Sequence, residues 1–376
     1  MKKTIYKYFF YEFLRYFTIS LFALAVVVWT IQAVNYLDLI TDDGHAFTVY
    51  FGYSILSLSK VITKLFPFCF LVAVVLTIIK LEKDNELMVF WTSGLNKIHI
   101  VNLLVRISLI VMLFQLLLTV FLNPTLLNFS RSLLKNSELQ FLPSLLKEKQ
   151  FNDTVEKLTI FVGKRNDKKI YENIFIQDDG KILSNVGGKS STIFAKSGYL
   201  NNNEKNLILF NGSIQRLEED GEVNIFKFDK TTLNLSGIST KSISEPKMQE
   251  TPTLKILTCI KNNYISNDMH NCNRTEKSYM DTKIEINKRF GTPIYIPLIA
   301  LICGFLLSSR KDKKIYNYKK YISFFIGFVI LVIAEIVVRY SGTSWLHTGI
   351  YYLIPAFTIP LIYFVLNKTF KYENLT

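Results

Sequence analysis

The chain has 376 residues, 49% of them hydrophobic, and 44 Lys and Arg against 30 Asp and Glu, a formal charge of +14. That charge does not describe a nucleic-acid binder: no compact basic patch with interleaved aromatics is present, and residues 123–288 hold 24 basic and 20 acidic residues, so most of the excess lies in the apolar ends. Long apolar runs in 1–122 and 289–376, with almost none between, exclude an ordinary soluble enzyme and point to a membrane protein with one large water-soluble insertion.

Six apolar segments approach the length needed to cross about 30 Å of hydrocarbon. They are Phe13–Val34, Val61–Leu81, Ile100–Leu122, Thr292–Ser308, Ile322–Val338 and Ile350–Leu366. The first is too long and too late for a signal peptide, and no small-residue cleavage site follows it. Pro293 and Pro297 sit in the first turns of the fourth, and Pro355 and Pro360 predict a kink in the sixth. Orientation follows from the short loops. Lys2, Lys3, Lys7 and Arg15 lie at the N-terminus, and Arg310, Lys311, Lys313, Lys314, Lys319 and Lys320 follow the fourth segment. Lys368 and Lys371 lie in the C-terminal tail. The alternate loops, Asn35–Thr48 and Ser341–Gly349, contain no Lys or Arg, and the first of them carries Asp38, Asp42 and Asp43. The positive-inside bias therefore places both termini in the cytoplasm.

Between the second and third segments lies Lys80–Lys97, KLEKDNELMVFWTSGLNK. Asp84 or Asn85 can cap a helix, Glu86 complements the first-turn dipole, and Leu87, Val89, Phe90 and Trp91 supply bulk. Gly94 can end the helix in a left-handed conformation. The pattern predicts an interfacial helix roughly 14 Å long; a plain loop that turns the chain is the other reading.

Residues 123–288 read as β-rich. Leu158–Val162, Asn173–Gln177, Ser191–Ala195, Leu207–Phe210 and Val223–Phe228 are short β-branched or aromatic runs, separated by turn signals at Asp179-Gly180, Asn211-Gly212 and Asp220-Gly221. They predict a sandwich or jelly roll of two sheets. Leu126–Gln150 reads as a connecting helix, and Ile238–Glu285 as an irregular polar return to the membrane. The expected fold is an α-helical membrane protein with six transmembrane helices and an inserted periplasmic all-β, jelly-roll-like domain. Its domains are 1–122, with the short helix near 84–94, then 123–288 and 289–376.

Catalytic signatures are missing. There is no G-x-x-x-x-G-K-[ST] phosphate loop, no H-E-x-x-H and no G-x-S-x-G. His45, His99, His270 and His347 are scattered without metal-ligand spacing, and Asp178-Asp179 reads as a turn more readily than as a cation site. Cys69 and Cys303 lie in apolar segments, where a buried free thiol is expected. Cys259 and Cys272 fall on the far side, which in a bacterium is oxidising; spacing alone leaves open whether they are bonded. Ionisable groups near the membrane are more informative. Lys60 and Lys64, Arg131 and Lys135, and Glu335 and Arg339 each recur at i and i+4 near the outer ends of segments. They either snorkel to headgroups, with Glu335 pairing Arg339, or face a cavity and hold an anionic lipid head group. Arg106 reads as a snorkelling anchor.

Three spans, a β insertion and three more spans resemble the LptF/LptG permease family, and more the LptF branch. The resemblance covers essentially the whole chain. It is carried by Leu81–Lys97, by Leu158–Gln177 (LTIFVGKRNDKKIYENIFIQ), by IFAKSGYL and LILFNGSIQ within Ile193–Gln215, and by the Pro-rich span with basic ends at Lys288–Arg310. It implies a permease subunit of the lipopolysaccharide export ABC transporter in the bacterial inner membrane. The implied partners are an LptG-like permease, an LptB-like cytoplasmic ATPase dimer and an LptC-like periplasmic jelly-roll bridge. It implies no cofactor on this chain, with ATP and Mg on the ATPase. Glu86 matches the family's coupling-helix glutamate, and Leu87, Phe90, Trp91 and Gly94 share that helix. Trp91-Thr92 and the longer Cys259–Cys272 return segment depart from the pattern. Two other classes compete: a membrane-anchored envelope adaptor or sensor that transports nothing, against which six spans argue, and an intramembrane lipid enzyme, against which the missing catalytic constellation argues.

Overall fold

Residues without water must close their backbone hydrogen bonds internally, so each long apolar run forms a helix. The computed structural model describes residues 2–41, 45–136, 146, 148–155, 157–166, 170–179, 190–201, 206–217, 222–235, 247–262, 272, 275–308 and 315–373. Asp42, Asp43, Gly180, Asp220, Gly221 and the basic loop residues Arg310, Lys311, Lys313 and Lys314 lie outside them. The helices are α1 (Lys2–Asn35), α2 (Asp38–Thr41), α3 (Phe47–Lys83), α4 (Glu86–Thr92), α5 (Lys97–Leu117) and α6 (Asn123–Asn136). After the strands come α7 (Thr253–Lys261), α8 (Glu276–Gly291), α9 (Tyr295–Gly304), α10 (Ile315–Tyr340) and α11 (Trp345–Glu373). A π-helical turn, Leu118–Leu122, joins α5 to α6, and a 3-10 turn at Thr292–Ile294, with Pro293 in it, joins α8 to α9. Six of these runs are long and apolar enough to cross a membrane.

The fourth span differs from its expected form. It is not a short Thr292–Ser308 segment but runs Glu276–Ser308, because the polar stretch before it is also helical. Thr275 caps α8 by accepting from the Ser278 N–H at 3.3 Å, and Glu276 occupies the first turn. The return from residue 247 onward is therefore largely helical, not irregular. Pro355 and Pro360 sit inside a continuous α11.

The chain folds as two compact units. The first comprises Met1–Ile31, Ser57–Asn128 and Lys247–Thr376. Its core joins Phe9, Phe13, Phe66, Phe70, Ile78, Leu104, Ile299 and Phe370. Phe13 and Phe70 meet edge to face at 5.5 Å. The fourth span is the most buried and the first the least. Cys259 and Cys272 are joined by a disulfide, with Cα atoms 5.9 Å apart. They pack with Ile256, Met248, Ile260 and Ile286. Cys69 and Cys303 are buried free thiols.

The second unit comprises Gln32–Leu56 and Phe129–Pro246. Its strands are β1 (Phe151–Val155), β2 (Leu158–Arg165), β3 (Ile170–Asp178), β4 (Ser190–Asn201), β5 (Asn206–Leu217) and β6 (Val223–Asn234). They form a single antiparallel meander in sequence order, not two sheets. Asn211-Gly212, expected as a hairpin turn, lies inside β5. Asn211 does adopt the left-handed conformation the dipeptide favours, φ 51°, but the ladder continues past it, with Phe210 opposite Lys230 and Gly212 opposite Phe228. Asn173 in β3 has φ 54°. Gly163, Asn173, Lys196, Asn211 and Asp229 occupy one row across β2 to β6, flanked on both sides by paired residues. Ile174 and Tyr171 straddle this row at an odd spacing, as do Ala195 and Leu200, Ile214 and Leu209, and Phe228 and Leu233. All nonetheless belong to one hydrophobic cluster, although odd spacings in a straight strand point to opposite faces. The row is thus a kink matched in β3, β4, β5 and β6, and the bent sheet packs around its own core. Gly212 is required there: a Cβ would lie 2.1 Å from the Phe194 carbonyl oxygen.

His45, between the first two spans, is 2% exposed, and burial lowers its pKa. Its neutral form is favoured in the folded chain, so stability is present above about pH 6.5 and is lost as the pH falls below that unfolded value. The thermal midpoint of the detergent-solubilised chain should fall between about pH 7 and 5. His45→Gln should flatten that fall, as read by circular dichroism.

Candidate functional site

Two places in the helical unit gather polar chemistry. The first is the short helix. α3 ends at Lys83, and Asn85 turns the chain with φ 62°, its side chain making no capping bond. The cap expected from Asn85 is therefore made by its left-handed backbone and not by its oxygen, and the helix is seven residues long, about 10 Å. Its end follows the expected chemistry. Gly94 has φ 79°, its N–H donates to the Trp91 carbonyl at 3.1 Å, and the Leu95 N–H reaches back to Phe90 at 3.2 Å, the Schellman arrangement. Asn96 then caps α5, accepting from the Ile98 N–H at 3.1 Å.

Leu87 and Phe90 are 5% and 7% exposed and join the core cluster with Leu81, Leu95 and Phe370. They anchor the helix and are not available to a partner. The exposed pair is Met88 and Val89, at 62% and 63%. In a two-turn helix the period is too brief to assign faces; the buried i, i+3 pair Leu87 and Phe90, followed by Leu95, is the signal that does so. Trp91 is half-buried, with the Lys97 ammonium 6.0 Å from its ring. Glu86 accepts a hydrogen bond from the Tyr8 hydroxyl at 3.0 Å, and its other carboxylate oxygen is buried without a hydrogen-bond partner. Lys80 pairs with Glu12 at 2.9 Å and lies 5.8 Å from the Tyr8 ring. The helix is thereby fastened to α1 at Tyr8 and to the core at Leu87 and Phe90.

The second place is a cavity of about 320 Å³ among α3, α5, α8, α9 and α10. Lys60 and Lys64, one turn apart, line it from α3. Lys60 lies about 35 Å along α3 from Lys83, so the cavity lies against the middle of α3 and well away from α4. Lys288 is paired with Glu335 at 2.9 Å. Arg289, 3% exposed, is paired with Glu285 at 2.8 Å, and it also donates to Thr253 Oγ1 at 2.7 Å and to the Met248 carbonyl at 3.2 Å. Lys60 and Lys64 form no ion pair among the described residues. Gln115 and Thr119, flanking the start of the π turn, complete the wall.

Of the basic residues singled out in the sequence, the structure brings Lys60 and Lys64 into this cavity. Arg339 stands at its margin, 75% exposed on its side chain and 4.0 Å from Glu335, whose closer partner is Lys288. Arg131 and Lys135 lie on α6 within the other unit. Lys288, Arg289 and Gln115 were not singled out. A lone glutamine inside the run Ile107–Leu122 is the signal that marks the last of them.

Six spans, a separate six-stranded sheet and a charged cavity among the helices define a multi-pass membrane protein of the permease type. Residues 7–368 match the family described as "Lipopolysaccharide export system permease LptF/LptG", and the chain belongs to that family. The family resemblance read from the sequence is borne out; the description joins the two branches and does not separate them. An uncharacterised protein of Rickettsia prowazekii (strain Madrid E) is 28% identical over 240 residues, covering 62% of this chain and 64% of that protein, just under two thirds of its length.

The two arginine contacts predict opposite outcomes. Arg289→Ala leaves Glu285 buried without its partner and should cost about 3–5 kcal/mol. Arg339→Ala should cost roughly 0.5 kcal/mol or less. Thermal unfolding of the two variants in detergent checks the difference.

Proposed function

We propose that this chain is a permease subunit of an ABC exporter that extracts lipopolysaccharide from the bacterial inner membrane and passes it to a periplasmic bridge. Family membership supports the cargo. The observation that carries the coupling is α4: a short helix fastened to the bundle, presenting two exposed apolar residues on a chain with no phosphate loop of its own. Such a surface suits a separate ATPase, which would carry ATP and Mg²⁺; no cofactor is assigned to this chain. Met88 and Val89 insert into the ATPase, Glu86 contributes its negative charge at the start of the helix, and Leu87, Phe90, Trp91 and Gly94 hold the helix in shape.

In this reading both termini are cytoplasmic and the sheet is periplasmic. A homologous LptG-like permease completes the transmembrane path. An LptB-like ATPase dimer binds at α4, and an LptC-like jelly-roll protein continues the route from the sheet. Lys60, Lys64 and Arg339 supply cations that attract a phosphorylated glycolipid head; Arg131 and Lys135, in the other unit, are proposed separately to attract such a head.

The test is a pull-down from gently solubilised membranes. Met88→Asp with Val89→Asp, and separately Glu86→Lys, should each reduce co-purified ATPase by about tenfold or more while the chain stays membrane-inserted. Leu87→Ala should instead lower the thermal midpoint, corresponding to about 2–5 kcal/mol. Unchanged ATPase recovery in the first two variants sinks the docking role. Absence of any ATPase from the unaltered chain favours an envelope adaptor.

A further inference from the structure

The exporter reading needs cations somewhere near the cargo's path. It does not say why Lys60 and Lys64, two of those cations, share a largely apolar cavity within one chain with a buried glutamine. Inside the cavity Glu285 and Glu335 are already engaged by Arg289 and Lys288. Lys60 and Lys64 remain, one helical turn apart. Positive charges near low-dielectric walls are costly without a counter-charge, and like charges at i, i+4 repel. An anion between them relieves both costs.

Gln115 narrows the chemistry. It is fully buried, it lines the cavity, and its Oε1 has no hydrogen-bond partner. Its Nε2 faces the Thr63 carbonyl at 3.4 Å, so turning the amide over would set two oxygens against each other. The oxygen therefore asks for a donor from whatever fills the cavity. Thr119 does not supply it, because its hydroxyl is directed at backbone carbonyls, those of Gln115 and Leu116 at 3.1 Å and of Arg289 at 3.0 Å. The π turn that follows Gln115 in α5 inserts an extra residue into that wall, a distortion that recurs at functional positions.

Size and access narrow it further. At about 320 Å³ the cavity is at the small end of ligand sites. It is half open, so a phosphate-bearing head fits within it while the rest of the lipid extends outside. Phe328 and Val332 at the rim are about two-fifths exposed, so a lipid can enter sideways from the bilayer with its chain against α10.

We propose that the cavity between α3, α5, α8 and α10 is a binding site within one chain for a membrane lipid whose head carries a phosphate anion and a free hydroxyl. Lys60 and Lys64 hold the phosphate, and Gln115 Oε1 accepts the hydroxyl. The phosphate and hydroxyl belong either to a resident bilayer phospholipid or to one phosphorylated sugar of the exported glycolipid. The inference rests on the exporter reading only for the second of these sources.

Purified full-length chain in phosphatidylcholine nanodiscs, doped with phosphatidylglycerol, phosphatidic acid or the phosphorylated disaccharide lipid of lipopolysaccharide, tests it by native mass spectrometry of retained lipid. Phosphatidylglycerol should stay bound one to one. Lys60→Gln with Lys64→Gln should cut its retention about tenfold or more, as loss of charge-assisted hydrogen bonds predicts. Val332→Trp, which fills the rim without touching a charge, should do the same and guards against a misfolded lysine variant. Gln115→Leu should lose phosphatidylglycerol and keep phosphatidic acid, whose phosphate lacks the extra hydroxyl. Displacement by the disaccharide lipid assigns the site to the cargo, and no displacement assigns it to a resident lipid; either supports the site. Equal retention of phosphatidylglycerol by the unaltered chain and both cavity variants overturns the proposal, and indifference of Gln115→Leu overturns the hydroxyl contact. Lipid retention by a chain that recovers no ATPase would sink the exporter reading and leave this one standing.

Discussion

A guanidinium cannot be buried alone, and much of the helical unit is arranged around meeting that demand at Arg289. Glu285 supplies the charge from one turn earlier in α8. Thr253 and the carbonyls of Met248 and Gln249 supply acceptors from the segment that returns after the sheet. Thr253 in turn donates to the Val120 carbonyl, and Thr119 donates to the carbonyl of Arg289 itself. One residue thus ties α7, α8 and the π turn after α5 into a single knot. The disulfide between Cys259 and Cys272 closes the far side of the same return segment.

The cavity follows from that knot. A π turn has backbone carbonyls that the regular ladder does not use, and the Val120 carbonyl in that turn is met by Thr253. Gln115 and Thr119 therefore face α8 across a gap, with Thr119 satisfied and the Gln115 oxygen not. At the C-terminal end of α3 the constraint is opposite in kind. α4 is held by Leu87 and Phe90 packing, by the Tyr8 hydroxyl on Glu86, and by a left-handed residue at each end, Asn85 and Gly94. The first site is built from electrostatic obligation, the second from backbone geometry and burial.

Much of this was legible in the sequence. Apolar run length gave the six spans because membrane solvent leaves few alternatives, and Gly94 announced a left-handed terminus because few residues tolerate one. Lys60 and Lys64 stood out because ammonium groups are rare in apolar runs. The rest depended on tertiary context. Glu276–Lys288 is polar enough to read as loop, and only its capping Thr275 hints at helix. Asn211-Gly212 carried the correct local conformation, but whether positive φ ends a strand or bends it is decided by neighbouring strands. Outward Met88 and Val89 could not be told from inward Leu87 and Phe90 until the bundle supplied an inside. Glu335 was matched to Arg339 by spacing, yet its nearer cation, Lys288, comes from another helix, which spacing cannot reveal.

The row of Gly163, Asn173, Lys196, Asn211 and Asp229 bears on how this sheet can change over evolutionary time. Because β3 to β6 change facing at the same level, a one-residue deletion in any one of them at that level would turn half of that strand inside out while its neighbours kept their facing. Point substitutions remain open along most of the sheet, but changes of length at this row are coupled across four strands. Loop lengths between strands carry no such coupling, so descendants of this sheet are free to differ in their turns long before they differ in where the sheet bends.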